Sequence, residues 1–177
     1  MKISIVFSTY NGSKTLPLML DGLEKIKTDN SFDWEVIAVN NNSKDNTQEL
    51  LENYITRLPI KIIFEAKQGK NCALNTAIKH ISGDLVLFTD DDIIPPPDWL
   101  LMYYHLYIKY RDIDIFGGKV TPYWELPPAK HIIDSIPLLT TFALTDETFK
   151  NGEIKPQRLL GPNYAIRKLL LDELKSF

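Results

Sequence analysis

Four short runs, Ile3 to Ser8, Trp34 to Val39, Ile60 to Phe64 and Leu85 to Thr89, are apolar and rich in β-branched residues, as parallel strands buried on both faces tend to be. Between the first two, Leu16, Leu20, Leu23 and Ile26 recur at helical spacing, with Pro17 tolerated in the first turn. Leu50, Leu51, Tyr54 and Leu58 repeat the pattern before the third run, and Ala73, Leu74, Ala77, Ile78 and Ile81 predict a third helix that stops at Gly83. Strand and helix alternate. Right-handed crossovers would stack them into a three-layer, doubly wound α/β domain with a mostly parallel sheet. Trp99, Tyr103, Tyr104, Tyr107 and Tyr110 also follow helical spacing and are expected to serve core and surface packing. The Pro-rich stretch from Pro122 to Pro137 divides this regular part from an irregular one.

In such sheets ligands bind beyond the carboxyl ends of the strands. The polar clusters fall there: Ser8-Thr9-Tyr10-Asn11-Gly12 leaves the first strand, Asn40-Asn41-Asn42-Ser43 the second and Asp90-Asp91-Asp92 the fourth. Three adjacent carboxylates repel one another, so something positive is expected among them. Oxygen ligands at a strand's end suit Mg²⁺ or Mn²⁺, each often held by one or two carboxylates plus substrate phosphates. Asp112 and Asp114 have similar spacing but precede the apolar Ile115-Phe116, at a strand's start, and are expected to be solvated.

Length and composition fit one soluble globular domain spanning 1–177. A net charge of -3 with interspersed signs leaves no basic footprint for nucleic acid. The single cysteine, Cys72, and three scattered histidines argue against disulfide or zinc chemistry. No run approaches a membrane span, which predicts a soluble chain without a transmembrane segment, cytoplasmic or peripheral at the inner face of a membrane.

Five segments in order carry a resemblance. Ile5 to Gly12, Val39 to Thr47, Gly69-Lys70 with Ala73-Leu74-Asn75, Gly83-Asp84 leading into Phe88 to Asp92, and Phe116 to Val120 with Pro122 and Trp124 resemble the family 2 inverting glycosyltransferases of the GT-A fold. The match continues into Gly161-Pro162-Asn163-Tyr164-Ala165-Ile166-Arg167. The resemblance implies a nucleotide-diphosphate sugar laid across the crevice, its diphosphate bridged to the aspartates through Mn²⁺ or Mg²⁺, and a glycan or lipid-linked acceptor in polysaccharide or cell-envelope biosynthesis. It also implies a nucleotide-binding part over 1–118 and the start of an acceptor-side part over 119–177.

On that resemblance Ser8, Thr9, Tyr10 and Asn11 form the base-side loop, with Asn11 or Ser13 also open to capping the first helix. Asn40 stands where the family usually has an aspartate; as an exposed polar site it should tolerate Asn40→Asp within about 1 kcal/mol. Asn42 is a further nucleotide-side candidate, although with Ser43 it also reads as a turn and helix cap. Lys70 would face the donor phosphates, or be a solvated lysine. Asp90 and Asp92 are the expected metal ligands, with Asp90 and Asp91 also on the nucleotide side. Cys72 and Asn75 are as readily packed against the sheet, and Trp124 is the acceptor-side candidate for sugar stacking. The general base of an inverting transfer is expected beyond Phe177, because Asp146, Glu147, Asp172 and Glu173 do not match its position. The chain is therefore expected to be a donor-binding, catalytically incomplete part of such an enzyme. Two alternatives are a nucleotide-sugar-binding domain without transfer activity and a Mg²⁺-dependent phosphatase. The second would need carboxylates after the first strand, where Ser8 and Thr9 stand.

Overall fold

The computed structural model describes residues 1–141, 143–146 and 151–174. The six strands found among them form one sheet: β1 (Lys2–Thr9), β2 (Asp33–Asn40), β3 (Ile60–Phe64), β4 (Leu85–Phe88), β5 (Ile115–Gly117) and β6 (Tyr164–Arg167). Their spatial order is β3-β2-β1-β4-β6-β5. β1, β2, β3 and β4 are mutually parallel, whereas β6 runs antiparallel to both β4 and β5. The helices are α1 (Leu16–Leu23), α2 (Thr47–Glu52), α3 (Lys70–Ile78), α4 (Trp99–Lys109), two single turns, α5 (Lys130–Ile133) and α6 (Leu138–Thr141), and α7 (Lys168–Leu174).

Alternation along the strands explains the three layers. Ile3, Ile5, Phe7, Val36, Ala38, Leu85 and Leu87 point to one face, where they pack with Leu16, Met19 and Leu20 of α1, Leu51 of α2 and Trp99, Leu100 and Tyr103 of α4. Val6, Ile37, Val39, Val86 and Phe88 point to the other, against Ala73, Leu74 and Ala77 of α3 and Leu171 of α7. Burial on both sides removes polar positions from these strands, which is why they read as continuous apolar runs.

The helices are shorter than the apolar periodicity predicts. Ile26, Tyr54, Leu58 and Ile81 all pack into the core, but from turns or coil beyond the helix ends. Gly83 does not stop a helix, since α3 ends five residues earlier at Ile78. Its lack of a side chain serves a close crossing over β1: a Cβ there would lie 2.6 Å from Ser4 Oγ and 2.7 Å from Ser4 N. Asp112 and Asp114 lie in exposed coil just before β5, with Asp114 Oδ1 3.9 Å from Arg167 Nε.

The chain returns from β3 across the sheet to place β4 on the far side of β1. That reversal makes the ends of β1 and β4 a topological switch point, with a crevice between the loops leaving them. Among the described residues no helix is long and apolar enough to cross a membrane.

Candidate donor-binding crevice

Strand register brings the polar loops to one level. Thr9 pairs with Asn40, Val6 with Phe88, and Asn41 N donates to Thr9 O at 2.9 Å. Asp90, Asp91 and Asp92 therefore leave β4 beside the loop that leaves β1. Gly12 sits between the two: a Cβ on it would lie 2.1 Å from Thr9 Oγ1 and 2.8 Å from Asp91 Oδ2.

The first two loops are joined by side chains. Asn11, at φ 53°, donates its backbone N–H to Ser43 Oγ (3.0 Å) and accepts at Oδ1 from the Lys44 N–H (2.8 Å). Ser13 N–H donates to Asp45 Oδ2 (3.2 Å), while Asp45 Oδ1 accepts from the Thr47 N–H (3.1 Å) and hydroxyl (2.5 Å) at the start of α2. Burial would raise the Asp45 pKa, but the bonds from Thr47 and Ser13 outweigh it and hold the carboxyl at about 2. Neither Asn11 nor Ser13 caps α1, which has no side-chain cap; both side-chain and backbone groups are turned to the neighbouring loop instead. Ser8 is half-buried one step inside β1, and Tyr10 is 51% exposed.

The expectation that Asn40 is exposed is not met. It is only 2% exposed, its Nδ2 donates to Gln48 Oε1 (2.8 Å), and its Oδ1 accepts from the Ser43 N–H (3.0 Å). Gln48, the second residue of α2, reaches back to the strand end. Asn42 adopts a left-handed turn at φ 62°, donating to Ala66 O (3.2 Å) and accepting from Lys44 Nζ (2.7 Å). It is a turn residue, while the residue holding the start of α2 is Asp45. Asn41, which sequence reasoning passed over, is 5% exposed and donates to Glu65 O and Lys67 O while accepting from the Gly69 N–H at 2.8 Å. It thereby fixes the turn that delivers Lys70. Gly69 itself has φ 132°, a conformation that a side chain would strain.

Lys70, the first residue of α3, is ion-paired with Asp90. It supplies one of the positive charges the carboxylates call for. Asp91 is the most enclosed of the three, and its pKa is raised, chiefly by burial and further by the charges of Asp92 and Asp90, although the Thr9 hydroxyl opposes this. Thr9 Oγ1 is itself buried without a well-formed hydrogen bond. Asp92 is exposed. Closely spaced oxygens carrying unbalanced negative charge suit a hard divalent cation, and Asp90 and Asp92 could hold one. Among the described residues no three His, Cys, Asp or Glu side chains converge as a complete protein cage; ligands from a phosphate would be needed as well.

Sequence reasoning gave no role to two further residues. Tyr164 stacks on Phe88 with ring centroids 5.2 Å apart, and burial, with the Asp90 charge second, pushes its hydroxyl up to about 12. Asn163, directly before β6, joins α4 to the segment after β5 through its side chain. The visible signal was the Gly161-Pro162-Asn163-Tyr164 segment, whose partners on α4 lie 64 and 60 residues away. Trp124 is half-buried in the irregular segment after β5. Cys72 and Asn75 are also half-buried, on α3. Asp172 pairs with Lys168 (2.5 Å) and borders a cleft of about 360 Å³ with Ser82, Gly83 and Asp84, at the opposite end of β4 from the aspartates. Glu173 follows it on α7 and is exposed. Asp146 is half-buried in coil, and Glu147 lies outside the described residues.

The fold and this crevice together define a GT-A-type nucleotide-sugar transferase architecture. Residues 4–167 match the model of glycosyl transferase family 2, and the chain belongs to that family. It is 32% identical over 177 residues to the poly(ribitol-phosphate) beta-glucosyltransferase of Bacillus spizizenii, covering 93% of this chain and 27% of that protein. It is 38% identical over 97 residues to the dolichyl-phosphate beta-glucosyltransferase ALG5A of Trichomonas vaginalis, covering 51% of this chain and 30% of that one. The chain thus spans about a third or less of these two relatives. Its fold matches S. aureus TarS 1-349 in complex with UDP-GlcNAc at a TM-score of 0.78, with 22% identity over 98% of this chain and 47% of that one. It also matches the mannosyltransferase PcManGT from Pyrobaculum calidifontis in complex with GDP-Man and Mn2+ at a TM-score of 0.71, with 21% identity over 99% and 47%.

Proposed function

We propose that this chain binds a nucleotide-diphosphate sugar across the crevice between β1 and β4 and serves a metal-dependent, inverting sugar transfer to a glycan or lipid-linked acceptor. The observation that carries the reading is the meeting, at the switch point of a family 2 fold, of an acidic run, the Lys70 ammonium and the zipped loops after β1 and β2. In this reading Ser8, Thr9, Tyr10 and Asn11 face the nucleoside, with Asn40 and Asn42 shaping the loop behind them. Lys70 and Asp90 lie along the diphosphate, and Asp90 and Asp92 hold Mn²⁺ or Mg²⁺. A bound cation would stabilise charge developing on the leaving diphosphate.

The residues contribute what precedes that chemistry. Lys70 exchanges its pairing with Asp90 for a phosphate oxygen, and Asp91, strained by burial and like charge, gains most from a nearby cation. The named relatives act on ribitol-phosphate and dolichyl-phosphate acceptors, and the matching structures carry UDP- and GDP-linked sugars; both support the donor and acceptor classes proposed. Asp172 and Glu173, on α7 beyond the other end of β4, are poorly placed to be the base. Titration calorimetry with UDP and GDP tests the reading, with Mn²⁺ and again after chelation. Mn²⁺-dependent binding that falls at least tenfold in Asp92→Asn is expected, about the worth of one charge-assisted contact. Equal affinity with and without Mn²⁺ in the parent would overturn it.

A further inference from the structure

We infer that Asn163 is a positioning residue that latches the aspartate loop to the segment leaving β5, so that the donor-side carboxylates and Gly118-Lys119 keep a fixed spacing. Its Oδ1 accepts from Trp99 Nε1 (2.9 Å) and from the Tyr103 hydroxyl (2.8 Å), both on α4. Its Nδ2 donates to Lys119 O (2.8 Å), and its backbone O accepts from the Gly118 N–H (2.9 Å). Trp99 and Tyr103 are 5% and 3% exposed, so both donors would be stranded without this acceptor. An amide carries a carbonyl acceptor and an NH2 donor on separate atoms of one short side chain, so it can serve α4 and Lys119 O together.

The link to the aspartates runs through the preceding residue. Pro162 O accepts from Thr89 Oγ1 at 2.7 Å, and Thr89, 2% exposed, directly precedes Asp90. On the other side Gly118 fits only because it lacks a side chain: a Cβ there would lie 2.2 Å from Asn163 Nδ2. Fixing Asn163 therefore fixes Thr89 on one flank and Gly118-Lys119 on the other. The inference rests on the donor-binding reading for its effect on ligand affinity, but not for the latch itself.

Two readouts separate these. In the ligand-free full chain, backbone hydrogen exchange over residues 89–92 should quicken in both Asn163→Ala and Thr89→Val, whereas exchange over 118–120 should quicken in Asn163→Ala alone. Binding of UDP with Mn²⁺ should weaken about tenfold in each variant, as for the loss of a buried hydrogen bond. The double variant should be no weaker than Asn163→Ala, because both changes open one latch, and Thr89→Ser, which keeps the hydroxyl, should bind as the parent does. Unchanged exchange at 89–92 in Asn163→Ala would overturn the latch, whatever the ligand does. Quickened exchange with unaltered UDP affinity would overturn its positioning role. A parent chain that does not bind UDP with Mn²⁺ would overturn the donor reading and, with it, the positioning role, while the exchange data decide the latch.

Discussion

Glu35→Gln should remove a stabilising contribution present at neutral pH and absent in strong acid. Glu35 Oε2 lies 2.7 Å from Lys2 Nζ, and Oε1 accepts from Ser4 Oγ (2.6 Å) and the Ser82 N–H (2.8 Å). Burial, the largest influence, would raise its pKa, but the bonds from Lys2, Ser4 and Ser82 overcome it and bring the carboxyl from 4.5 down to about 2. At ~1.4 kcal/mol per pKa unit such a fall is worth at most ~3.5 kcal/mol. The Lys2 side chain is 35% exposed and that of Glu35 16%, so solvent screening leaves about 1–2 kcal/mol. Because the folded value lies below the unfolded one, the contribution is complete above 4.5 and is lost as the pH falls toward 2. Urea unfolding of parent and variant should show a gap of that size from about pH 7 to 5, closing steadily below. A gap that persists undiminished at about pH 2.5, or none at neutral pH, would refute the assignment of stability to this carboxylate.

Three further outcomes follow from the crevice. Asp91→Asn should stabilise the ligand-free chain by about 0.5–1.5 kcal/mol, relieving burial and repulsion, while weakening Mn²⁺-dependent UDP binding; a lower melting temperature would count against it. Because the Asp91 pKa is raised in the folded protein, the stability tied to its protonated form is full below 3.8 and lost as pH rises through the folded value, a dependence Asp91→Asn should abolish. Asn40→Asp should cost about 1–3 kcal/mol, since the new carboxylate cannot donate to Gln48, and Gln48 can turn its amide only by giving up Glu52 (2.8 Å); a cost within about 0.5 kcal/mol in urea unfolding would restore the view of position 40 as a tolerant polar site.

The sequence carried β1, β2 and β4 because burial on both faces leaves them largely apolar; β3, expected to be buried likewise, is a half-exposed edge strand and was legible from its β-branched Ile60, Ile62 and Ile63. The crevice was legible because loops at the carboxyl ends of parallel strands must gather polar residues. Asn40 was misjudged for a physical reason: its burial depends on Gln48 returning from the next helix, and one-dimensional polarity does not record where an amide side chain folds. Gly83 was misread similarly, because a close crossing over Ser4 looks, along the chain, like a helix stop. β6 is only four residues long, and its place between β4 and β5 is a long-range pairing that no local period encodes. The role of Asn163 lies in partners on two distant segments, α4 and Gly118-Lys119, so a motif could mark the position without saying what it holds.

The antiparallel insertion of β6 has a consequence for how the chain is made. β4 completes the parallel part of the sheet, yet among the described residues its outer edge, Leu85 to Phe88, is covered only by Tyr164 to Arg167. At a ribosomal rate of ~5–20 residues per second, that covering strand emerges roughly 4–15 s later. During that interval a fully apolar strand presents unpaired N–H and C=O groups along its open side, the geometry that recruits a foreign strand. Nascent chains should be most prone to aggregate, and most dependent on chaperones, between the emergence of β4 and that of β6.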